Sequence, residues 1–490
     1  MVKGIEGALT PGQSVFQQRS LKSWRLENAV QPPHSLIIQT MDQQVSARAR
    51  SPVELQSLSV ELFIVFVALA NSGPNGISVF DVTEYMLATR QSYNLLFSIP
   101  ALWTQVYSTL SNPNNVVDLL TGMGRAIRYS GELPLTLRLK IDTEITRDHL
   151  NSITRHIFVS GSKWQHMYVT FRAQSPEFCV QNWIPQLWKV TRDANPTTTP
   201  FTNVRTLSLD ALARAAIGFR GQRARCDVGS WPLWQLFPNL RRLLLLSLDF
   251  GSVRMLTTQL AISSLQELTL SGYFYESVPY MVRELLANTP QLKMLRLSVR
   301  EETIYPASDW TLKPLRHAAL EELHLIGNLD FIVRQLRPLE CPSLSRLCLG
   351  NFARGDASGS SIVAEVSAMV TRSLCQLETL ELDWFDMPSY DMVRLLIGLP
   401  RLRSVKLCFR DMQPNDSLFA TLFRMSADAS FLQQMDSFQV LSNMVPFESS
   451  SLVESFAKFV EDPRRGGDGP FAPLRVATLK LGNNLVYSLS

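Results

Sequence analysis

Leucines recur along this chain in one short phrase, Leu-x-x-Leu-x-Leu. It reads Leu240-Arg-Arg-Leu243-Leu-Leu245 and Leu265-Gln-Glu-Leu268-Thr-Leu270, and returns at 292–297, 320–325, 344–349 and 377–382. Val204-Arg-Thr-Leu207-Ser-Leu209 opens the series and Leu402-Arg-Ser-Val405-Lys-Leu407 closes its regular part. The middle apolar residues stand at 207, 243, 268, 295, 323, 347, 380 and 405, so successive phrases are 36, 25, 27, 28, 24, 33 and 25 residues apart. A phrase repeated at that period predicts a solenoid. In an extended segment alternate side chains share a face, so Leu323 and Leu325 point one way while Glu322 and His324 point the other. Stacked repeats bury the leucine face, worth roughly 1.5–3 kcal/mol per side chain. No single repeat buries that face alone.

The segments between phrases carry helical spacing. Val278, Met281, Val282, Leu285 and Leu286 form one stripe; Ile362, Val363, Val366, Met369 and Val370 another; Met392, Val393, Leu395, Leu396 and Ile397 a third. Pro290, Pro342 and Pro400 follow such runs and mark the return to a strand, because proline cannot continue a helix. Strand, helix, strand predicts an α/β array with a parallel inner sheet and outer helices. This resembles the leucine-rich-repeat solenoid, the horseshoe, in an irregular form. The Asn or Cys of that family after the last Leu is mostly missing, so no asparagine ladder is expected. Phe438 with Val440 and Leu479 with Leu481 read as degenerate final repeats, separated by a helix bearing Leu452, Phe456 and Phe459. Residues 201–490 thus read as the solenoid with its C-terminal cap, in about ten units.

The earlier chain is different. Residues 1–50 are polar, rich in Gln, Ser and Arg, and read as disordered. Residues 51–110 read as a helical module: Leu55, Leu58, Leu62 and Phe66 make one stripe, Ser72-Gly-Pro-Asn-Gly76 a break, and Val82, Tyr85, Met86, Tyr93 and Leu96 a second run. Residues 111–200 read as a linker helix (Val116, Val117, Leu120, Met123, Ile127) and the first irregular repeats.

The wording of this region carries a second resemblance. Pro100-Ala-Leu102-Trp103 closes the module, Ser130-Gly-Glu-Leu-Pro-Leu-Thr-Leu-Arg-Leu139 follows the helix, and Trp164-Gln-His-Met167-Tyr-Val169 comes after a further helix (Leu150, Ile153, Ile157). This is similar to the F-box proteins with degenerate leucine-rich repeats of mushroom-forming (basidiomycete) fungi. The order of elements matches over roughly 52–410, and the wording is close over 98–170. The resemblance implies a non-catalytic substrate-receptor subunit of a Skp–cullin–F-box ubiquitin ligase. Its helices dock a Skp-family adaptor, and through it a cullin ligase, while the repeats hold a target protein. Leu62, Phe66, Pro100, Leu102 and Trp103 are the implied adaptor contacts. Two departures mark the module: Ser59 stands where the family has Pro in Leu-Pro-x-Glu-Leu, and Ala88-Thr-Arg-Gln-Ser92 lacks the Trp of Val-Cys-x-x-Trp. Two alternatives therefore stay open, a repeat scaffold or inhibitor without ligase association, and a role for Leu102 and Trp103 as a cap on the solenoid core.

Composition narrows the partners. A chain that is 46% hydrophobic and 18% charged has enough apolar surface to fold, and a net charge of +4 over 490 residues makes no case for nucleic acid or membrane. The longest apolar run, Leu62–Ala70, is too short to span a bilayer. The N-terminus lacks a signal-peptide core. Six cysteines scattered without paired spacing suit a reducing compartment, cytoplasm or nucleus. No nucleophile elbow, phosphate loop or His-Glu-x-x-His motif is present, so no catalytic residue, metal or cofactor is assigned. Alternation places Arg242, Glu267, Arg296, Glu322, His324, Arg346, Glu381 and Lys406 together on the concave face. Both signs of charge are interspersed there, which suits a protein ligand, where charges set register.

Overall fold

The computed structural model describes residues 99–142, 145–172, 180–194, 201–211, 233–250, 263–274, 281–300, 314–351, 360–385, 388–409, 421–422, 434–442, 449–461, 473–481 and 484–489. The expected disordered N-terminus and both helical runs of the module with Leu62 and Phe66 lie outside these residues.

A 3-10 turn, Pro100–Trp103, leads into β1 (Gln105–Leu110), α1 (Val116–Tyr129), β2 (Leu135–Ile141), α2 (Arg147–Val159) and β3 (Trp164–Phe171). α3 (Val180–Ala194), β4 (Thr206–Ala211), the short α4 (Leu233–Leu236), β5 (Arg242–Phe250) and β6 (Glu267–Phe274) follow. The middle consists of α5 (Met281–Asn288), β7 (Met294–Arg300), β8 (Leu315–Arg316), β9 (Glu322–Gly327), α6 (Leu329–Leu336), β10 (Leu339–Glu340) and β11 (Arg346–Asn351). The chain goes on through α7 (Ser360–Ser373), β12 (Thr379–Asp383), α8 (Ser389–Ile397), β13 (Ser404–Phe409), β14 (Ser437–Ser442), α9 (Ser449–Val460), β15 (Val476–Leu481) and β16 (Asn484–Leu489).

Apart from the small pair of β8 and β10, the strands form one 14-stranded sheet in chain order. Every pairing in it is parallel except the last, in which β16 turns back antiparallel on β15. This is an α/β solenoid. Its register is a set of straight columns. Val106, Leu137, Met167, Leu207, Leu243, Leu268, Leu295, Leu323, Leu347, Leu380, Val405, Phe438 and Ala477 are successive partners across thirteen parallel strands. Every one of them is buried. The column two residues on runs through Leu139, Val169, Leu209, Leu245, Leu270, Leu297, Leu325, Leu349, Leu382, Leu407, Val440 and Leu479, also buried. Thus the predicted leucine face is the core, and the helices add their own stripes to it: Leu119 and Met123 from α1, Leu285 from α5, Val366 from α7 and Leu395 from α8 are all enclosed.

Local signals set the helix starts. Thr146 caps α2, its hydroxyl accepting from the His149 N–H at 3.2 Å, and Asn328 caps α6, accepting from the Phe331 N–H at 2.7 Å. Gly327, just before that cap, is tightly packed: a Cβ there would stand 2.6 Å from a ring carbon of Phe331.

Three expectations change. The array begins at β1, inside the segment assigned to the helical module, while β2 and β3 are the irregular repeats expected over 111–200 and are full members of the sheet. The array has thirteen parallel rungs among the described residues rather than about ten units. And Leu102 and Trp103, implied as adaptor contacts, are enclosed in the core, 3% and 0% exposed, with Trp103 packed at 5.0 Å from the Tyr129 ring. The physical reason lies in the residues of the first described rung: Val106 and Leu110 give it apolar core positions, and Leu102 and Trp103 carry large apolar surface that burial removes from water.

Candidate protein-binding face

The residues between the two buried columns point to the other side of the sheet, its open face. Two columns line it. One runs Thr136, His166, Thr206, Arg242, Glu267, Met294, Glu322, Arg346, Thr379, Ser404; the other Arg138, Tyr168, Ser208, Leu244, Thr269, Arg296, His324, Cys348, Glu381, Lys406. All eight residues expected on this face are there. The structure goes further and joins them to one another.

Arg242 donates to Glu267 on the next strand at 2.6 Å. Glu322 lies 3.9 Å from Arg296 on one side and accepts from the neutral ring of His324 at 3.4 Å. Arg346 donates to Glu381 at 2.5 Å, and Lys406 stands 3.9 Å from the other carboxylate oxygen. Four cations thus face three carboxylates in a compensated network. The carboxylates lie deeper than the guanidinium groups they face: Glu381 is 16% exposed beside Arg346 at 40%.

Proton affinities follow from this packing. Burial works against the charge of Glu381, but the hydrogen bond and charge of Arg346, with Lys406, overcome it and hold the carboxyl below its ordinary range. Burial equally opposes the Arg346 charge, and Glu381 in turn raises the guanidinium above its own high value. The hydrogen bond from His324 keeps Glu322 low against burial, helped by the charges of Arg346 and Arg296. Burial pulls the His324 pKa down, the Glu322 bond resists, and Arg296 and Arg346 add to the fall. Cys348, between His324 and Glu381, is buried, and loss of hydration raises its thiol, as it does for Cys408. Neither is an activated nucleophile.

The N-terminal rungs add residues to this face that were not singled out. Arg138 lies over the Tyr168 ring at 5.3 Å, and His166 meets the Thr206 hydroxyl at 3.0 Å. The signal was the same alternation, Leu137-Arg138-Leu139 and Met167-Tyr168-Val169, in phrases less regular than the leucine series.

Leu62 and Phe66 are outside the described residues, Pro100 is exposed, and Leu102 and Trp103 are core. His149 and His156 lie on α2 and His166 on the open face. Among the described residues no cluster of His, Cys, Asp and Glu is arranged to hold a metal ion. No described helix is long and apolar enough to cross a membrane.

No family model matches the chain, and no curated protein matches it. Among solved structures, the chain is similar to one titled "Crystal structure of Rad7 and Elc1 complex in yeast", at 12% identity and a TM-score of 0.36. The match covers 81% of this chain and 91% of that one.

Proposed function

We propose that this protein is a non-catalytic receptor that holds a target protein on the open face of its sheet. Through F-box-like helices ahead of residue 100 it would act as a substrate-receptor subunit of a Skp–cullin–F-box ubiquitin ligase, in the cytoplasm or nucleus. The observation that supports the receptor role is the single uninterrupted face carrying eight interspersed ionisable side chains from seven neighbouring strands. Such a surface gives orientation and selectivity to a protein ligand. The ligase link rests on the resemblance in order of elements over roughly 52–410 and in wording over 98–170. A receptor of this kind does no chemistry; it raises the local concentration of its target near the ubiquitin-charged enzyme.

A second reading, a scaffold without ligase association, is favoured by the burial of Leu102 and Trp103, which removes two implied contacts from the surface. Co-expression of the full chain with a fungal Skp-family adaptor, followed by gel filtration, separates the two. A one-to-one complex that is lost in Leu62→Asp/Phe66→Asp supports the receptor subunit. A folded chain that elutes apart from the adaptor supports the scaffold. Trp103→Ala does not serve here, because it opens a cavity in the core.

A further inference from the structure

The charges of the open face follow a strict order. Taken strand by strand along the two columns, β5 contributes Arg242, β6 Glu267, β7 Arg296, β9 Glu322, β11 Arg346, β12 Glu381 and β13 Lys406. Within these two columns the signs alternate without a break over seven adjacent strands, one permanent charge from each; the next open-side position of β12 adds a second carboxylate, Asp383, beside Cys408. The run has defined ends. On one side β4 offers Thr206 and Ser208, and on the other β14 offers Ser437 and Gln439.

Neighbouring strands are about 4.8 Å apart, so the seven charges span about 29 Å. A ligand that complements them needs charges of alternating sign at nearly that interval along one line. An extended peptide laid across the strands repeats its facing side chains about every 6.7 Å and loses step by roughly 11 Å over the run. An α-helix repeats its facing stripe about every 5.4 Å, and positions i, i+4, i+7, i+11, i+14, i+18 and i+21 cover about 31.5 Å. The mismatch is under about 3 Å, within reach of Glu and Lys side chains. The line wavers between the two columns, a displacement of about 6.7 Å along the strands, less than the roughly 10 Å width of a helix. Capacity for such a ligand exists. A carboxylate accepts more than the one or two bonds made here and a guanidinium has five N–H donors; the side chains of Arg242, Arg296 and Arg346 are 48%, 38% and 40% exposed.

We infer that the target segment of this face is an α-helix lying across strands β5 to β13, with acidic and basic side chains on alternate turns of its facing stripe. The inference rests on the receptor reading and names its ligand class. Register comes from the alternation: a slip of one turn sets like charges against each other along the whole line, and a slip of two restores the match with two pairings lost.

The test uses the full chain and three labelled peptides of identical charge composition, measured by fluorescence anisotropy at low salt. The first is an alanine-rich helix with Glu at i, i+7, i+14 and i+21 and Lys at i+4, i+11 and i+18. The second gathers the Glu residues in one half of the stripe and the Lys residues in the other. The third keeps the first sequence but carries two interior prolines that prevent the helix. The inference expects the first peptide to bind at least about tenfold more tightly than either other. Glu267→Gln/Glu322→Gln/Glu381→Gln should erase the advantage over the second peptide while the circular dichroism of the protein is unchanged. Should this variant unfold, Arg242→Gln/Lys406→Gln, at the exposed end and the far end of the line, must reduce the advantage instead. Equal binding of the first two peptides overturns the alternation. Equal or tighter binding of the third overturns the helix and leaves a receptor for extended segments. Binding of no peptide in a face-dependent way overturns the inference together with the receptor reading.

Discussion

The two ends of the solenoid and its middle keep one register but fill it differently. The largest fully buried side chains are Trp103, Trp164, Trp183, Phe201, Phe237, Phe438, Phe456 and Phe459, all before β5 or from β14 onward. From β6 to β13 the corresponding columns are leucine with one valine. A middle rung has a neighbour on each side, and a leucine between two leucines is enclosed by the stack itself. The aromatic rungs are paired on both sides as well, but their helices and loops are less regular, and bulky side chains fill the space that a leucine column fills in the middle. Trp164, on β3 between β2 and β4, is anchored as well as bulky, its indole N–H donating to the Ile157 carbonyl of α2 at 3.0 Å. At the other end Phe438 packs on Phe456 and Phe459 of α9, and Tyr487 of β16 closes over Phe456. Regular repeats build length; irregular aromatic ones finish it.

That contrast is open to attack by substitution. Trp164→Ala removes the largest buried side chain of its rung and the shorter of two hydrogen bonds to the Ile157 carbonyl, a loss of about 3–5 kcal/mol. Hydrogen exchange should show protection lost in β1 to β4 with β9 to β13 still protected. Leu323→Ala, at about 2–5 kcal/mol, strikes a rung with two dependants, and protection should fall on both sides of β9 together. If the two variants lose protection over the same strands, ends and middle are not distinct. A milder change sharpens the point within the middle: Gly327→Ala drives a methyl against the Phe331 ring and should cost about 1–3 kcal/mol in urea titration, with the transition kept single.

The smallest effect concerns pH. Glu322 and Glu381 have lowered folded pKa values, so each adds stability above the ordinary carboxylate value of about 4.3 that is lost as pH falls through the folded value. His324 is also lowered. Its stabilisation is complete above about 6.5 and declines as pH falls toward its folded value, where protonation begins in the native state. His324→Gln should remove the upper part of the acid decline in thermal midpoint and Glu381→Gln the lower part. Unchanged slopes in both would disconnect the open face from stability, leaving pH dependence to the rest of the chain.

The sequence made the middle legible because strict alternation around leucine admits one assignment of faces. Every expected open-face residue landed there for that reason. The first rung was obscure. In Gln105–Leu110 only Val106 and Leu110 are apolar core positions, and Ser108 breaks the second column. Trp103 was assigned to a docking motif by the phrase around it, although its chemistry equally suits an end seal. The pairing of charges was also out of reach. Arg346 and Glu381 stand 35 residues apart and in different columns, so only the register brings them together. The antiparallel return of β16 follows from no local signal in Asn484–Leu489.

The alternating order of charge has a kinetic side. Opposite charges about 5 Å apart cancel well inside the screening distance of roughly 8 Å at physiological salt, so the face projects almost no field into solution. A partner approaching it is not steered. Encounter proceeds at the unassisted rate of about 10⁵–10⁶ M⁻¹s⁻¹, nearly independent of ionic strength. The charges act only after contact, through how long a matched partner stays. Discrimination on this surface is therefore a matter of dwell time, and salt shortens the visit without delaying the arrival.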